Sequence, residues 1–448
     1  MPRKYFGTDG IRGEFGLEPL TSNFFIILGI AIAKSLSIKK SIKKKVLIGS
    51  DTRESSSQII NLISQGLEIE NFSIDNAGIV PTPAIAFYTQ KEKYDIGLMV
   101  SASHNLFKDN GVKIFNQDGY KISSEEEQYI EDYINTLLQS NKHNEIKGSN
   151  VFDVSEKITS EYKKFCINTA ANYKFDNKKI TLDLANGSNY KIASDIFRRV
   201  GFDISIHNNK PDGRNINDKC GSTYLKNLPT QIENDNSEYG LSVDGDGDRL
   251  VVINHQGKIF DGDDILYTII KGKIIENENI SGVVGTSMTN YALEKFLRNE
   301  KIPFERVEVG DKYVLEKMIE KGYFIGGETS GHILMLEYLT SGDSLIAGLQ
   351  FLFYSDILKK NNADTFLKKY PQKITNIFYE KSLEESIINI AIKEAMDFFK
   401  RPDTRLVIRK SGTENCIRIM VEAKDEVYVE SLSIEIRKFV EDKINSKL

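Results

Sequence analysis

Residues 98–115 read LMVSASHNLFKDNGVKIF, and their pattern changes abruptly in the middle. The apolar run that ends at Val100 predicts a buried strand. The strand passes directly into small polar residues around Ser103 and His104, and such a loop is where α/β proteins usually place chemistry. Asn-Gly at 110–111 predicts a turn that folds Lys113 back over Ser103. A hydroxyl needs a base or a metal to become a good nucleophile. Without one, the pattern also fits a plain polar loop with a surface lysine.

Three stretches of the chain share one order of elements: strand, polar loop, helix and second strand. Their first strands are predicted at 45–48, 180–184 and 282–284, and their second strands at 72–74, 202–204 and 304–307. Each stretch is a βαβ unit, for which a right-handed crossover is expected. Their domain-sized spacing predicts three related α/β domains in tandem, although any α/β protein contains such units.

The C-terminal part has a different pattern. Strands at 405–409 and 416–421 and an amphipathic helix at 427–444 predict a smaller α+β module. A polar tract at 140–150 and turn residues near 255–257 and 370–372 predict the junctions. The chain is thus predicted to be an α/β protein of four domains around a central cleft, with limits 1–150, 151–255, 256–371 and 372–448.

Composition limits the classes of function. With 448 residues, 40% of them hydrophobic and 27% charged, the chain is typical of globular proteins. A net charge of −5 without a basic block argues against nucleic-acid binding. The three cysteines are far apart, which favours a reducing compartment and neither a disulfide framework nor a zinc site. The N-terminus has no apolar signal core, and the longest apolar run, 24–33, predicts a buried helix too short to span a bilayer. We therefore expect a cytoplasmic protein without a membrane or nucleic-acid partner.

Carboxylates and glycines alternate in the stretch Val-Asp-Gly-Asp-Gly-Asp-Arg at 243–249. Asp244, Asp246 and Asp248 would repel one another in a tight loop unless a cation lay among them, and oxygen ligands suit Mg²⁺. An EF-hand does not fit, because it needs Gly and Glu where this chain has Arg249 and His255. An aspartyl phosphatase does not fit either, because its nucleophile usually follows the first strand. The buried-type residues on both sides argue against a plain surface turn.

A glycine-rich loop at 326–332 carries groups suited to a sugar. Glu328 and Ser330 can hydrogen-bond sugar hydroxyls, and His332 can exchange protons near neutral pH. A glycine turn between two strands is the alternative.

Two arginine-bearing loops are suited to anions. Arg409 offers a bidentate fork for phosphate, and Ser411, Gly412 and Thr413 offer hydroxyls and N–H groups. A hairpin turn with a solvated arginine is the alternative. The glycines around Arg12, at 5–13, predict either a flexible turn or a loop that brings the arginine to an anionic group.

Together these stretches resemble the α-D-phosphohexomutase family. The resemblance rests on SASHN followed by DNGVK, on DGDGDR, GETSGH and RKSGTE, and on the glycine-rich start around Arg12, all in the family's order. Leu106 and Asn415 stand where the family usually has proline, and Thr329 fills a variable place. The stretches at 215–221 and 309–314 resemble the branch of the family that acts on hexosamine phosphates.

The resemblance implies a role for each candidate residue. Ser103 carries the transferred phosphoryl group, and one Mg²⁺ lies on Ser103, Asp244, Asp246 and Asp248. Lys113 is the candidate general base, His332 assists on the sugar side, and His104 orients the loop. The remaining roles are phosphate-charge stabilisation by Arg12 and Arg249, sugar binding by Glu328 and Ser330, and distal-phosphate binding by Arg409, Ser411, Gly412 and Thr413.

The implied reaction is an isomerisation by phosphoryl transfer within a sugar. Phosphoserine 103 would phosphorylate a hexosamine phosphate, a sugar 1,6-bisphosphate would be both intermediate and primer, and the product would feed amino-sugar and cell-wall precursors. An enzyme for glucose or mannose phosphates, or a catalytically silent sugar-phosphate-binding protein, are the alternatives. We expect a monomer or a homodimer.

Overall fold

The computed structural model describes residues 4–37, 43–140, 151–175, 177–380, 383–402, 404–411 and 415–445. The strands in these ranges are β1 Phe6–Gly7, β2 Gly10–Glu14, β3 Lys45–Ser50, β4 Ser73–Ile79, β5 Ile96–Val100, β6 Asp109–Asn116, β7 Val151–Asp153, β8 Lys179–Asp183, β9 Asp203–His207, β10 Tyr239–Val243, β11 Leu250–Asn254, β12 Ile259–Phe260, β13 Val283–Thr286, β14 Phe304–Val307, β15 Ile325–Gly327, β16 Ile333–Met335, β17 Gln372–Phe378, β18 Thr404–Lys410 and β19 Cys416–Ala423. The α-helices are α1 Ser22–Ser37, α2 Ser56–Ile69, α3 Thr82–Glu92, α4 Ser124–Ser140, α5 Ser155–Asn168, α6 Ala193–Val200, α7 Leu228–Asp235, α8 Gly262–Ile275, α9 Tyr291–Asn299, α10 Asp311–Lys321, α11 Ser344–Lys360, α12 Glu385–Phe398 and α13 Glu426–Asn445, and a 3₁₀ turn spans Ser188–Lys191.

Three of the four sheets share one strand order. The order is β4-β3-β5-β6 in the first sheet, β9-β8-β10-β11 in the second and β14-β13-β15-β16 in the third. In each, the first three strands are parallel and the fourth is antiparallel. The predicted repeat of three βαβ units is confirmed, and it extends to a third parallel strand and an antiparallel partner.

The first three units pack into one body. Helices α1, α2 and α4 cover one face of the first sheet, and α3 and α5 cover the other. The core on the α3 side continues through the second and third sheets. The predicted buried helix at 24–33 is confirmed as α1, at whose start the Thr21 hydroxyl accepts the Phe24 N–H at 3.3 Å. Among the helices of the described ranges, none is long and apolar enough to cross a membrane.

The C-terminal unit is a three-stranded antiparallel sheet in the order β17-β19-β18, with α12 and α13 on one face. The predicted strands and the predicted C-terminal helix are confirmed as β18, β19 and α13. The sequence patterns had not indicated β17 or α12.

Two strands lie beyond the predicted domain limits. β7 pairs with β4 of the first sheet, and β12 closes the second sheet by pairing with β11. Residues 255–257 therefore belong to a hairpin of the second sheet. The sequence does not show these pairings, because an edge strand joins a sheet by backbone hydrogen bonds that local composition does not encode. The domain limits themselves stay a prediction. The polar tract at 140–150, predicted as a junction, lies outside the described residues except for residue 140.

The predicted turn at Asn110–Gly111 is wrong, because both residues lie inside β6. The chain reverses earlier, between β5 and β6. Gly111 is needed for close strand approach: a Cβ there would lie 2.1 Å from the carbonyl oxygen of Ile11 on β2.

Three of the sequence motifs occupy equivalent positions in the first three units. The serine loop connects β5 to β6, the aspartate loop connects β10 to β11, and the glycine-rich loop connects β15 to β16. In each of these units the loop follows the third parallel strand, which is how α/β folds gather residues into one cleft. In the C-terminal unit, Arg409 lies near the end of β18 and not in a loop.

Candidate active site

Ser103 is held in a conformation that serine rarely adopts. Its φ is +51°, in the left-handed region, and its side chain is fully buried. The Oγ donates a hydrogen bond to Asp244 Oδ2 at 2.6 Å, and the backbone N–H donates to Ser101 Oγ at 2.9 Å. Strained backbone of this kind persists where the surroundings over-determine it, often at active sites.

The aspartates of the second unit form a compact, buried cluster. Asp244, Asp246 and Asp248 each place a carboxylate oxygen within 4.8 Å of the others. Burial and the charges of Asp248 and Asp246 raise the pKa of Asp244 well above its usual range. Asp246 Oδ1 is buried and has no hydrogen-bond partner in the described part of the chain. Crowded, oxygen-only ligands with an unsatisfied atom fit a Mg²⁺ site.

A glycine in the aspartate loop allows it to lie against the serine loop. A Cβ on Gly245 would lie 2.7 Å from the carbonyl oxygen of Ser103. Any side chain at this position would push the aspartate cluster away from the serine, so the alternation of Asp and Gly has a direct structural reason.

Lys113 reaches the aspartate cluster from β6. Its Nζ lies 2.8 Å from Asp246 Oδ2, 2.5 Å from Asp248 Oδ2 and 3.3 Å from Asp9 Oδ2. Burial opposes its charge, but these three carboxylates raise the pKa of Lys113 well above its usual value. In this arrangement Lys113 is a proton donor, and its predicted role as a base requires a change in its carboxylate partners.

Three basic side chains lie near Ser103, those of His104, Arg12 and Arg249. His104 Nδ1 lies 3.4 Å from Ser103 Oγ. Burial, followed by the charges of Arg249 and Arg12, lowers the pKa of His104 to about 4, so the imidazole is neutral at pH 7. The side chains of Arg12 and Arg249 are 20% and 17% exposed. Both guanidinium groups can therefore meet an anion in the cleft.

The glycine-rich loop is joined to the aspartate loop. The Leu250 N–H donates to the Gly331 carbonyl at 3.0 Å, and Arg249 and His332 form a backbone bridge. Glu328 Oε1 accepts the Gly310 N–H at 2.9 Å, and burial raises the pKa of Glu328. The motifs of the second and third units thus form one continuous surface.

His332 lies between two carboxylates. Its Nε2 is 3.4 Å from Asp311 Oδ2 and its Nδ1 is 3.7 Å from Asp248 Oδ1. Burial opposes the charged imidazolium, but Asp311 and Asp248 raise the pKa of His332. A protonated His332 can donate to a sugar oxygen, which fits the predicted assisting role.

A cavity of about 300 Å³ lies between the third and fourth units. Glu328 and Ser330 line it from the glycine-rich loop, and Arg409 and Arg418 line it from the C-terminal sheet. Burial and the nearby Arg418 lower the pKa of Arg409, so an anion in the cavity would relieve the repulsion between the two cations. The Ser411 N–H donates to the Cys416 carbonyl at 2.8 Å. Gly412 and Thr413 lie outside the described residues.

Comparison with known proteins gives the family. Models of the phosphoglucomutase/phosphomannomutase family match three parts of the chain: alpha/beta/alpha domain I at residues 3–141, alpha/beta/alpha domain III at 261–372 and the C-terminal domain at 371–439. The phosphoglucosamine mutase of Photorhabdus laumondii is 38% identical over 442 residues, which are 97% of this chain and 98% of that protein. The chain belongs to the phosphoglucosamine mutase family. It is therefore an isomerase that acts as an intramolecular phosphotransferase.

Solved structures of the wider superfamily share the fold. A phosphoglucomutase/phosphomannomutase family protein from Burkholderia thailandensis superposes with a TM-score of 0.80 at 19% identity, over 97% of each chain. N-acetylphosphoglucosamine mutase from Aspergillus fumigatus, solved in complex with GlcNAc-6P and magnesium, gives 0.64 at 16% identity, over 98% of this chain and 96% of that one. At these identities the likeness concerns the fold.

Sequence reasoning missed the residue that holds the serine loop in this member of the phosphoglucosamine mutase family. Arg53 follows β3, is fully buried and pairs through Nε with Asp51 Oδ2 at 2.9 Å. Its two other nitrogens donate to carbonyl oxygens of the loop: Ser103 (3.0 Å), Asn105 (2.8 Å), Asp109 (2.9 Å) and Leu106. The stretch Ser-Asp-Thr-Arg at 50–53 was visible as a polar loop, but its sequence does not show that the arginine turns inward.

Three further polar residues support the site of this phosphoglucosamine mutase family member. Asn217 Nδ2 donates to the carbonyl oxygens of Ser103 at 2.8 Å and Asn105 at 2.9 Å. Thr82 Oγ1 donates to Asp246 Oδ2 at 2.6 Å. Asp9 pairs with Lys113 and also contacts Arg12. Asn217 and Asp9 lie in stretches that resemble the family, whereas no sequence signal indicated Thr82.

Proposed function

We propose that the chain interconverts glucosamine 6-phosphate and glucosamine 1-phosphate through a phosphorylated Ser103. The observation that carries this function is the contact between Ser103 Oγ and Asp244 at 2.6 Å, inside a buried cluster of carboxylates. A serine in an ordinary surface loop would be neither buried nor held at a positive φ. The similarity to phosphoglucosamine mutases over nearly the whole chain supports the choice of sugar.

The proposed reaction has two phosphoryl transfers. Phosphoserine 103 gives its phosphoryl group to the free hydroxyl of the sugar phosphate, which yields the 1,6-bisphosphate. The bisphosphate turns over in the cleft, and its other phosphoryl group returns to Ser103. Arg12 and Arg249 stabilise charge on the transferring group. The distal phosphate binds Arg409, Ser411, Gly412 and Thr413, and this contact positions the reacting end of the sugar.

Asp244, Asp246 and Asp248, with an oxygen on Ser103, would hold one Mg²⁺. When bound there, Mg²⁺ supplies positive charge next to the transferring phosphoryl group. If Asp246 and Asp248 held the metal, they would be shared between it and Lys113, and Asp9 at 3.3 Å would remain the third carboxylate partner of the lysine. Lys113 is the proposed acceptor of the proton of the attacking sugar hydroxyl, while His332 donates on the sugar side and His104 keeps the loop oriented.

Glu328 is the proposed source of sugar preference. Glucosamine phosphates carry an ammonium group, and Glu328 lies in a buried part of the cleft where a carboxylate attracts a cation strongly. A neutral hydroxyl of glucose or mannose would gain less there. We therefore expect a preference for glucosamine 6-phosphate of about 1–3 kcal/mol, the size of a charge-assisted hydrogen bond.

The test measures kcat/KM for glucosamine 6-phosphate, glucose 6-phosphate and mannose 6-phosphate, and the phosphorylation of Ser103 by intact mass. We expect the highest kcat/KM for glucosamine 6-phosphate, and loss of turnover with retained folding in Ser103→Ala, since one loop hydroxyl contributes little to stability. Equal or reversed values would assign a glucose or mannose phosphate enzyme. Near-normal turnover by Ser103→Ala would refute the phosphoserine route.

We also place the enzyme in the cytoplasm, because its three cysteines are buried thiols, as is usual in a reducing compartment. We expect a monomer or a homodimer, and light scattering during gel filtration distinguishes the two.

A further inference from the structure

The two arginines of the substrate cavity belong to the C-terminal sheet, whereas Glu328 and Ser330 belong to the third unit. Their relative position therefore depends on contacts between these two units. The polar contacts between the two units concentrate at residues 289–291, where α9 begins.

Asp263 connects this segment to the glycine-rich loop. The carboxylate is 1% exposed and lies at the start of α8. Its Oδ2 accepts the Asn290 N–H at 2.8 Å, and both carboxylate oxygens lie 3.2 Å from Thr329 Oγ1. Thr329 itself lines the cavity between Glu328 and Ser330.

Glu422 connects the same segment to the C-terminal sheet. The carboxylate is 2% exposed and lies near the end of β19. Its Oε1 accepts the Tyr291 N–H at 2.8 Å, and its Oε2 accepts from Gln372 Nε2 at 3.0 Å and from an Arg405 terminal nitrogen at 3.1 Å. Arg405 also donates to the Thr289 carbonyl at 2.7 Å.

Two buried carboxylates from different units thus accept consecutive backbone N–H groups, those of Asn290 and Tyr291. The Asn290 side chain adds two hydrogen bonds to the backbone of Tyr370, just before the C-terminal sheet begins. We call Asp263, Glu422 and residues 289–291 the joint. Because buried polar groups are costly unless hydrogen-bonded, the joint favours the geometry in which both carboxyl groups keep these bonds.

Within the joint, Glu422 lies on the same face of the C-terminal sheet as the cavity arginines. Arg405 pairs with Glu422, Val407 with Met420, and Arg409 with Arg418 across β18 and β19. Residues two and four apart on a strand share a face. Four residues of strand span about 13 Å, so a tilt of about 5° at Glu422 would move Arg409 by about 1 Å. A misplacement of that size lowers turnover strongly when it affects the orientation of a substrate.

We propose that Asp263 and Glu422 are positioning residues that set the distance between Arg409 and Glu328, and with it the orientation of the bound sugar phosphate. This inference rests on the proposed function. Neither residue contacts the reacting groups, since Ser103 and the aspartate cluster lie in the first and second units.

The experiment compares Asp263→Asn, Glu422→Gln and the double variant with the wild-type enzyme. Each substitution keeps the shape of the side chain and turns one hydrogen-bond-accepting oxygen into a donor. We expect kcat/KM for glucosamine 6-phosphate to fall about 10- to 100-fold in each single variant, through both a raised KM and a lowered kcat. Hydrolysis of phosphoserine 103 by water, which does not use the C-terminal unit, should stay within about twofold of wild type.

The double variant tests whether the two residues act as one unit. If both act through the joint, the double variant should lose about as much kcat/KM as the worse single variant, since residues of one network are not additive. The matched control is Glu430→Gln, an exposed residue of α13 that pairs with Lys373. It should remain within about twofold of wild type.

The proposal is overturned if the single variants fold and keep kcat/KM within about twofold of wild type. It is also overturned if the two losses of kcat/KM multiply in the double variant. A loss of phosphoserine hydrolysis as large as the loss of kcat/KM would overturn it as well. If Glu422→Gln does not fold, Gln372→Met, which removes one donor to Glu422, is measured in its place. A raised KM for glucosamine 6-phosphate supports the joint, and an unchanged KM overturns it. A wild-type enzyme inactive on every hexose phosphate would instead refute the proposed function, so the two failures are distinguishable.

Discussion

Replacing Arg53 tests whether the serine loop depends on one buried guanidinium. Arg53→Ala removes five hydrogen bonds, four to loop carbonyls and one to Asp51. Three of the carbonyls keep another donor, because Asn217 bonds Ser103 and Asn105, and the Asp109 N–H bonds Leu106. The largest loss is therefore the charge partner of Asp51, whose own pKa is already raised by burial against the opposing effect of Arg53.

A buried carboxylate that loses its partner costs about 3–5 kcal/mol. The loop can open locally so that water solvates Asp51. If the closed loop is destabilised by about 3 kcal/mol relative to the open one, the population of the reactive, closed loop falls about 150-fold. We expect Arg53→Ala to lower kcat/KM by at least that factor. Arg53→Lys, which keeps the charge but cannot fork between carbonyls, should lose about tenfold.

The assay follows mutase turnover and, by intact mass, the transfer of one phosphoryl group to Ser103 from a sugar 1,6-bisphosphate. Arg214→Ala is the matched control, because this arginine pairs with the neighbouring Glu54 and is 69% exposed. A folded Arg53→Ala enzyme with kcat/KM within about threefold of wild type would refute the reasoning.

Four further outcomes are expected. Chelation with EDTA should abolish turnover and Mg²⁺ should restore it, and full activity of Asp246→Asn in chelator would contradict the metal role. Arg409→Ala should raise KM and lower kcat for the phosphorylated sugar, because remote binding energy orients the reacting end; unchanged constants would give the loop another task. Glu328→Gln should narrow the preference for glucosamine 6-phosphate over glucose 6-phosphate by about tenfold, measured as the ratio of kcat/KM values, and an unchanged ratio would exclude Glu328 as its source. Burial raises the pKa of Asp343 from 3.8 to about 6, so the stability that its protonated form contributes is complete below about pH 4 and is lost as the pH rises through 6. The Tm of the wild type relative to that of Asp343→Asn should therefore fall between pH 4 and pH 8, by the equivalent of up to about 3 kcal/mol of unfolding free energy. A Tm difference that does not change with pH would contradict the raised pKa of Asp343.

Elements that depend on local pattern could be predicted from the sequence. The βαβ units follow from apolar runs, polar loops and helical periodicity within about 30 residues of each other. The aspartate cluster follows from carboxylates two residues apart, which repel one another in a tight buried loop and therefore favour a cation among them. These features are properties of neighbouring residues, so they need no knowledge of the rest of the chain.

The turn predicted at Asn110–Gly111 shows where local pattern fails. The dipeptide is a common turn signal, but here Gly111 lies in β6 because β2 passes too close for a side chain. The same limit applies to Lys113, which a turn was expected to bring over Ser103 and which instead contacts Asp246 and Asp248.

The sequence alone determined the order of the four units and pointed to the loops, with Ser103 and the three aspartates, that we propose as the reacting centre. The tertiary structure alone decided which residues support them. Arg53, 50 residues before Ser103, and Asn217 of the second unit both donate to the Ser103 carbonyl. The joint connects the third unit, with Glu328, to the C-terminal sheet, with Arg409. The physical reason is that a buried polar group can take any suitable partner that folding brings near it. Which partner arrives is set by the packing of whole sheets and helices, and not by the residues beside it in the chain.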